Sequence, residues 1–242
     1  MRIPRIHLAP PLEEGGQRFL DKEQTRYLRR VLRLEDDHPV RVFDGLGEER
    51  EARLGRDERG NSLLDLEGAV AGNPESPLAI TLVQGVCRGQ RMDYALQKAV
   101  ELGVHRIECV FCERTVVRLD GKRLQKRLRH WQGVVEAACA QSGRRMIPQI
   151  ISHASLAEAL AEGNREGLYL EPAAEHGLKA VTPEGKALSL VVGPEGGLAA
   201  HERRALESAG YRGLRFGPRV LRTETAGVAA LTALQCLWGD LG

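Results

Sequence analysis

Apolar residues recur along this chain in two rhythms, and the rhythm changes near residues 71–77. In the first stretch the apolar runs are short. Residues 3–7 and 40–43 read as strands, the second followed by a turn at Asp44-Gly45. Two further extended pieces fit residues 52–54 and 62–67. Residues 21–32 read as a helix, with Asp21 as its N-cap and Leu28, Val31 and Leu32 on one face. The pattern predicts a small β-rich barrel of about 70 residues. The Gly/Pro/Ser cluster AGNPESP that follows predicts a boundary, with residues 1–72 as one domain and 73–242 as another.

Beyond the boundary, strands and helices alternate. Residues 78–86, 107–112, 167–171, 187–192 and 213–216 read as strands. Residues 92–102, 122–140, 200–209 and 225–238 read as helices, the first and third stopped by Gly103 and Gly210. Ser155 opens another helix through a capping box with Glu158. The alternation predicts an α/β domain, a mainly parallel sheet with helices on both faces. No internal repeat or low-complexity tract is present.

Composition narrows the class. With 242 residues, 42% hydrophobic and 28% charged, the chain can bury a core and is not a disordered segment. No run approaches the roughly 18 apolar residues of a membrane helix, and the first residues lack the apolar centre of a signal peptide. A cytoplasmic protein with no membrane partner is expected. The net charge of +2 says little, but its distribution says more. Residues 73–150 hold 13 Lys/Arg against 7 Asp/Glu, whereas the stretches on either side are each −2. Such a basic middle is what a nucleic-acid footprint looks like, and also what a solvated helix face looks like. Of the five cysteines, Cys109 and Cys112 form a lone C-x-x-C inside an apolar run, which favours a buried strand over zinc or redox chemistry. The seven histidines show no metal-ligand spacing, and no hydrolase signature is visible, so no metal is expected.

Three segments could carry chemistry. Val192-Gly193-Pro194-Glu195-Gly196-Gly197 follows a strand and precedes a helix, where parallel sheets bind ligands. It matches neither G-x-G-x-x-G nor a P-loop, and a tight turn explains it equally well. The run 217–226, GPRVLRTETA, lies in the same position one strand later. Thr223 or Thr225 could cap the last helix, with Glu224 favouring its positive end. Arg219 and Arg222 are left over, and paired arginines in a constrained loop suit phosphate or base recognition. The third is the basic segment 114–129, where Arg118, Lys122 and Lys126 recur every four residues while Leu124, Leu128 and Trp131 lie on another face. Arg144 and Arg145 add charge beyond it. In the first domain Arg2 and Arg5 precede Arg26, Arg29, Arg30 and Arg33, which fall near one helical face.

Taken in order, MRIPRI at the start, YLRRVLRL at 27–34, LQKAVELGV at 96–104, QSGR at 141–144, VVGPEGGL at 191–198 and GPRVLRTETA at 217–226 resemble the RsmE family. These are uridine-N3 methyltransferases of small-subunit ribosomal RNA, in the SPOUT superfamily. The resemblance spans nearly the whole chain. It implies an N-terminal PUA-like β-barrel that helps bind RNA and a C-terminal α/β domain with a trefoil knot. It implies S-adenosylmethionine as cofactor, a homodimer, and one uridine of 16S rRNA in the assembled small subunit as substrate. Knots are rare, and only the resemblance supports one.

Carried onto this sequence, the resemblance puts Leu170, Glu171, Gly193, Glu195, Gly196 and Gly197 along the cofactor cleft. Gly217, Val220, Leu221, Thr223, Thr225 and Ala226 wrap the cofactor's two ends. Arg222 and Glu224 are the catalytic candidates, since N3 of uridine carries a proton that a base must take or a cation must make easier to lose. Arg5, Arg29, Arg30, Arg114, Arg118, Lys122 and Arg144 are the RNA-binding candidates. Two departures from the family pattern stand out. Ala140 precedes Gln141 where relatives carry Glu, and Tyr27 stands where many carry His. A non-catalytic RNA-binding or ribosome-assembly factor, and a SPOUT enzyme acting on another RNA, remain as alternatives.

Overall fold

The computed structural model describes residues 3–162 and 166–242. It divides into two compact units, residues 1–74 with 139–147, and residues 75–138 with 148–242. Arg2 lies outside the described residues.

The first unit is a curled five-stranded half-barrel. Its strands are β1 (Arg5–His7), β2 (Gln17–Phe19), β3 (Pro39–Phe43), β4 (Glu49–Arg56) and β5 (Ser62–Ala69), in the order β1-β3-β4-β5-β2. Only the β1–β3 pair is parallel. Alternation puts Ile6, Val40, Val42, Ala52, Leu54, Leu64 and Leu66 into one core. A register shift between Arg50 and Ala52 bends the long β4–β5 ladder.

The helix expected over residues 21–32 is present, but only its first turn is an α-helix. Asp21 caps α1 (Lys22–Thr25), accepting from Gln24 N at 2.8 Å while its own N–H donates to Gln24 Oε1 at 3.0 Å. From Arg26 to Val31 the backbone widens into a π-helical turn, and Leu32 N donates to Tyr27 O at 2.9 Å. The wider turn changes which side chains face inward. Leu28 is fully buried and Leu32 packs on the core, but Val31 is 59% exposed. The predicted three-residue apolar face is corrected accordingly.

The second unit holds a six-stranded, all-parallel sheet: β6 (Ala79–Gly85), β7 (Arg106–Val110), β8 (Gln149–His153), β9 (Gly167–Leu170), β10 (Ala187–Val192) and β11 (Arg212–Leu214). The order is β11-β9-β10-β6-β7-β8. Its helices are α2 (Gln90–Glu101), α3 (Gly121–Ser142, which runs into the first unit), α4 (Leu156–Ala161), α5 (Ala200–Ser208) and α6 (Thr223–Trp238). On one face of the sheet, Val83, Val110, Tyr169 and Val191 pack with Leu156 of α4 and Leu206 of α5. The alternate residues Gln84 and Val192 lie beneath Gly227 of α6, and α2 packs against α6.

The strand order explains where a ligand fits. From β6 the chain proceeds outward to β7 and β8, then returns to build β9, β10 and β11 on the other side of β6. The direction of winding therefore reverses between β6 and β10, and a crevice opens at the carboxyl ends of strands at such a point.

Candidate active site

Both glycine-bearing loops lie at this crevice. They border a cavity of about 580 Å³, within the usual range for a small-molecule site. One wall is the loop after β10, the other the segment joining β11 to α6. Close packing dictates small residues here. A Cβ on Gly85, at the end of β6, would lie 2.5 Å from Pro194 N. A Cβ on Gly196 would lie 2.9 Å from Arg114 Cβ and 3.2 Å from Arg114 O. Neither neighbour is the far end of a flexible side chain, so only glycine lets these segments meet.

Polar contacts lock the loops to the sheet. Thr223 Oγ1 donates to Gly193 O at 2.6 Å and accepts from Gln84 Nε2 at 3.0 Å. The expected threonine cap of α6 is thus corrected. The N-cap is Arg222, without a side-chain cap bond, and the Thr223 hydroxyl instead ties the helix start to the other loop. Glu202, buried in α5, accepts from Ala199 N at 2.7 Å and from Glu113 N at 2.9 Å. Arg203 donates to Leu198 O at 3.0 Å and pairs with Glu171 Oε2 at 3.2 Å, joining the β9 end to the β10 loop.

The cavity brings together most of the residues singled out in the sequence. Leu170, Glu171, Gly193, Glu195, Gly196, Gly197, Gly217, Val220, Leu221, Thr223 and Ala226 line it, as do Arg222 and Glu224. Thr225 is exposed and lies outside the lining. Apolar groups from Leu198, Leu214 and Phe216 complete one side, while Arg91, Arg114, Arg203, Arg219 and Arg222 supply five guanidinium groups. Glu195 Oε1 accepts from Arg88 N at 2.9 Å. Glu224 Oε2 is buried and has no hydrogen-bond partner among the described residues. The Cys87 thiol nearby is pushed up to about 12 by burial, with Glu195 and Glu224 adding to the shift and Arg91 opposing it.

This architecture and these loops belong to a described family. A family model described as an RNA methyltransferase domain matches residues 74–235, and one described as an RNA methyltransferase PUA domain matches residues 20–65. A protein named ribosomal RNA small subunit methyltransferase E from Mycobacterium bovis is 31% identical over 93% of this chain and 88% of its own length. Its namesake from Neisseria gonorrhoeae, solved bound to S-adenosyl methionine, is 38% identical with a TM-score of 0.91, covering both chains fully. A Legionella pneumophila protein solved with bound SAM is 33% identical with a TM-score of 0.94, again over both full chains. The chain belongs to the ribosomal RNA small subunit methyltransferase E family. Its α/β SPOUT-type sheet and PUA-like half-barrel are the fold that the motifs implied.

In this methyltransferase E chain the arginines expected on RNA have different fates. Arg5 is corrected: it is a buried structural residue, its side chain 7% exposed. Its Nε donates to Glu49 Oε1 at 2.7 Å, and its Nη atoms donate to Cys139 O, Ala140 O and Arg144 O at 2.8, 3.1 and 3.0 Å. Arg5 therefore binds two carbonyls in the last turn of α3, Cys139 O (which also accepts from Gly143 N) and Ala140 O, and one just beyond the helix. Arg29 is also corrected. It turns inward, donates to Gly55 O at 3.0 Å and pairs with Asp36, holding that carboxyl below the usual carboxylate range. Arg30, Arg114, Arg118 and Lys122 are exposed, and Arg144 is half-buried.

Sequence spacing missed Arg91, Arg203 and a charge cluster built around the buried Glu108 and His153. In that cluster Arg106 reaches Glu108 Oε1 at 2.9 Å and Glu162 Oε2 at 2.7 Å, and His153 Nε2 lies 3.3 Å from Glu108 Oε2. Glu108, His153 and Glu162 are close enough together to ligate a cation, but the Arg106 guanidinium already sits among them. Cys109 and Cys112 are buried free thiols. Burial raises both, and Cys112, also bonded to Glu202, reaches about 12.

Proposed function

We propose that this chain methylates N3 of one uridine in 16S ribosomal RNA, using S-adenosylmethionine. We propose further that it acts in the cytoplasm, as a homodimer, on the assembled small subunit. The observation that carries the reading is the cleft itself: two glycine loops at the winding reversal, lined by apolar side chains, carboxylates and arginines. The relatives' names and their bound cofactor support it.

The donor set fits the cofactor. Leu170, Leu198, Leu214, Val220 and Leu221 offer apolar surface for an adenine ring. Residues 193–197 and 219–224 border the cavity, where their backbone groups can bond a small polar molecule, and Glu171, Glu195 and Glu224 balance positive charge. When bound, S-adenosylmethionine supplies a methyl carbon on a sulfonium, so the sulfur can leave as a neutral thioether and no metal is required.

The remaining work falls to the protein. Uridine N3 attacks only once its proton leaves, and Glu224 Oε2, buried and unpartnered among the described residues, is the acceptor for that proton. Arg222, at the start of α6 on the cavity wall, stabilises charge that spreads onto the uracil oxygens. Arg114 and Arg219 line the cavity with exposed guanidinium groups suited to flanking phosphates, and Arg118 and Lys122 extend the basic surface. Leu237 and Leu241, more than 40% exposed near the end of the chain, favour a second copy covering α6.

The test is a transfer assay with labelled S-adenosylmethionine and small subunits from cells lacking the enzyme, followed by nucleoside mass analysis. One 3-methyluridine at a single site is expected. Cofactor binding without any methylated uridine points to another RNA target, and absence of cofactor binding overturns the reading. Sedimentation of the free protein at twice the monomer mass is expected for the dimer.

A further inference from the structure

Three segments converge on one guanidinium that the sequence motifs did not reveal. Arg91 is the second residue of α2 and lines the cavity. Its Nη1 lies 3.5 Å from Glu195 Oε1, in the loop after β10, and its Nε lies 3.8 Å from Glu224 Oε1, in the first turn of α6. The two carboxylates differ in what else they hold. Glu195 Oε1 already accepts the Arg88 N–H. Glu224 has no such donor: Oε1 faces Arg91, and Oε2 is buried without a hydrogen-bond partner among the described residues. At 3.8 Å the Arg91–Glu224 contact is too long for a hydrogen bond and acts through charge.

A buried carboxylate oxygen without a donor is unfavourable unless a ligand supplies one. The arrangement therefore leaves one oxygen of Glu224 available and fixes the other toward a cation. We infer that Arg91 is a positioning residue for methyl transfer, orienting Glu224 so that Oε2 is the oxygen left open to the uridine N3 proton. This rests on the functional reading above. In the step concerned, the N3–H bond breaks and the proton goes to Glu224 Oε2. The electron pair left on N3 forms the bond to the methyl carbon as the C–S pair returns to sulfur. Arg91 touches none of the reacting atoms and acts through Glu224.

A merely structural Arg91 would clamp the two loops, and its loss would weaken cofactor binding. A positioning Arg91 changes the rate of transfer instead. The experiment measures single-turnover methyl transfer and S-adenosylmethionine affinity for wild type, R91Q, R91K, E224Q and the R91Q/E224Q double variant. R91Q is expected to slow transfer by about tenfold or more, a fraction of the roughly 10²–10⁴ that a positioned base contributes, while cofactor affinity stays within about threefold. R91K should recover most of the rate because it restores the charge. In the E224Q background, R91Q should cost almost nothing further, since residues acting through one another are not additive. Two results overturn the inference: losses that multiply in the double variant, or cofactor affinity falling by the same factor as rate. A wild-type chain that binds cofactor but leaves uridine unmethylated overturns the functional reading as well, which a change confined to R91Q does not.

Discussion

Replacing Thr223 with Val tests whether the two loops depend on the hydroxyl that joins them. Valine keeps the shape of threonine, so the substitution opens no cavity and removes two hydrogen bonds. Gly193 O loses a donor at 2.6 Å, and Gln84 Nε2 loses an acceptor at 3.0 Å while keeping Gly85 O at 3.0 Å. Thr223 and Gln84 are both buried, so water does not readily replace what is lost. Leaving such a group unsatisfied costs about 1–3 kcal/mol. For a chain of this size each kcal/mol moves Tm by about 2–4 °C. Calorimetry should therefore show a clear fall for T223V and a smaller one for T223S, which keeps the hydroxyl. Cofactor affinity should fall too, by up to about tenfold for each 1.4 kcal/mol needed to re-order the loop. A T223V protein that melts with wild type and binds cofactor equally well would refute the idea that this bond organises the cleft.

Other substitutions separate the roles of neighbouring residues. G196A should weaken cofactor binding and lower stability by about 1–3 kcal/mol through overpacking against Arg114; calorimetry and a binding titration would detect both. R222A should reduce methyl transfer far more than cofactor affinity, and equal losses would count against its assigned role. R5A should destabilise the fold by about 3–5 kcal/mol, because it leaves Glu49 buried without its partner, whereas K122A should leave Tm unchanged and reduce the salt dependence of RNA binding by about one ion. Burial holds the Cys87 and Cys112 thiols at about 12, against about 9 when unfolded. Their contribution to stability is present below pH 9 and is lost as pH rises toward 12, and a chemical denaturation series should show that decline. At neutral pH a thiol reagent should label Cys236 quickly and the four buried cysteines only on unfolding.

Most of the second unit was legible in the sequence because strands such as β10 are continuous apolar runs and helices keep their period, as in α2 with Met92, Ala95, Leu96, Ala99 and Val100 buried, whereas β8 went unread because only its Ile150 and Ile151 are apolar. It was less informative where tertiary context decides. Strand β2 is three residues with no apolar alternation, and it exists because Gln17, Arg18 and Phe19 pair with β5. The π-helical turn keeps helical composition, so a period of 3.6 misassigned Val31. In the cleft the glycines were visible as a motif, but Arg91 was not. Its neighbours in sequence form an ordinary amphipathic helix, and its meaning comes from two carboxylates more than a hundred residues away.

Charge illustrates the same limit in a way that bears on substrate recognition. Counting arginines treats each as a free cation, and on that count the N-terminal module is as plausible an RNA surface as the basic middle segment. The structure separates them by what surrounds each guanidinium. Arg5, Arg29 and Arg50 are 15% exposed or less and hold carboxylates or backbone carbonyls of their own unit, so bringing them to a phosphate would break buried contacts first. Arg118 and Lys122 are exposed, so a phosphate can approach them without first breaking a buried contact. Arg114 sits between these cases. It is exposed and on the cavity wall, yet donates to Gly196 O at 3.2 Å, so the chain segment leading toward the basic helix is bonded to the glycine loop. RNA engagement at 114–122 and the order of that loop are therefore physically linked. Removing the Arg114 guanidinium should weaken both RNA and cofactor binding, while K122A should weaken RNA binding alone.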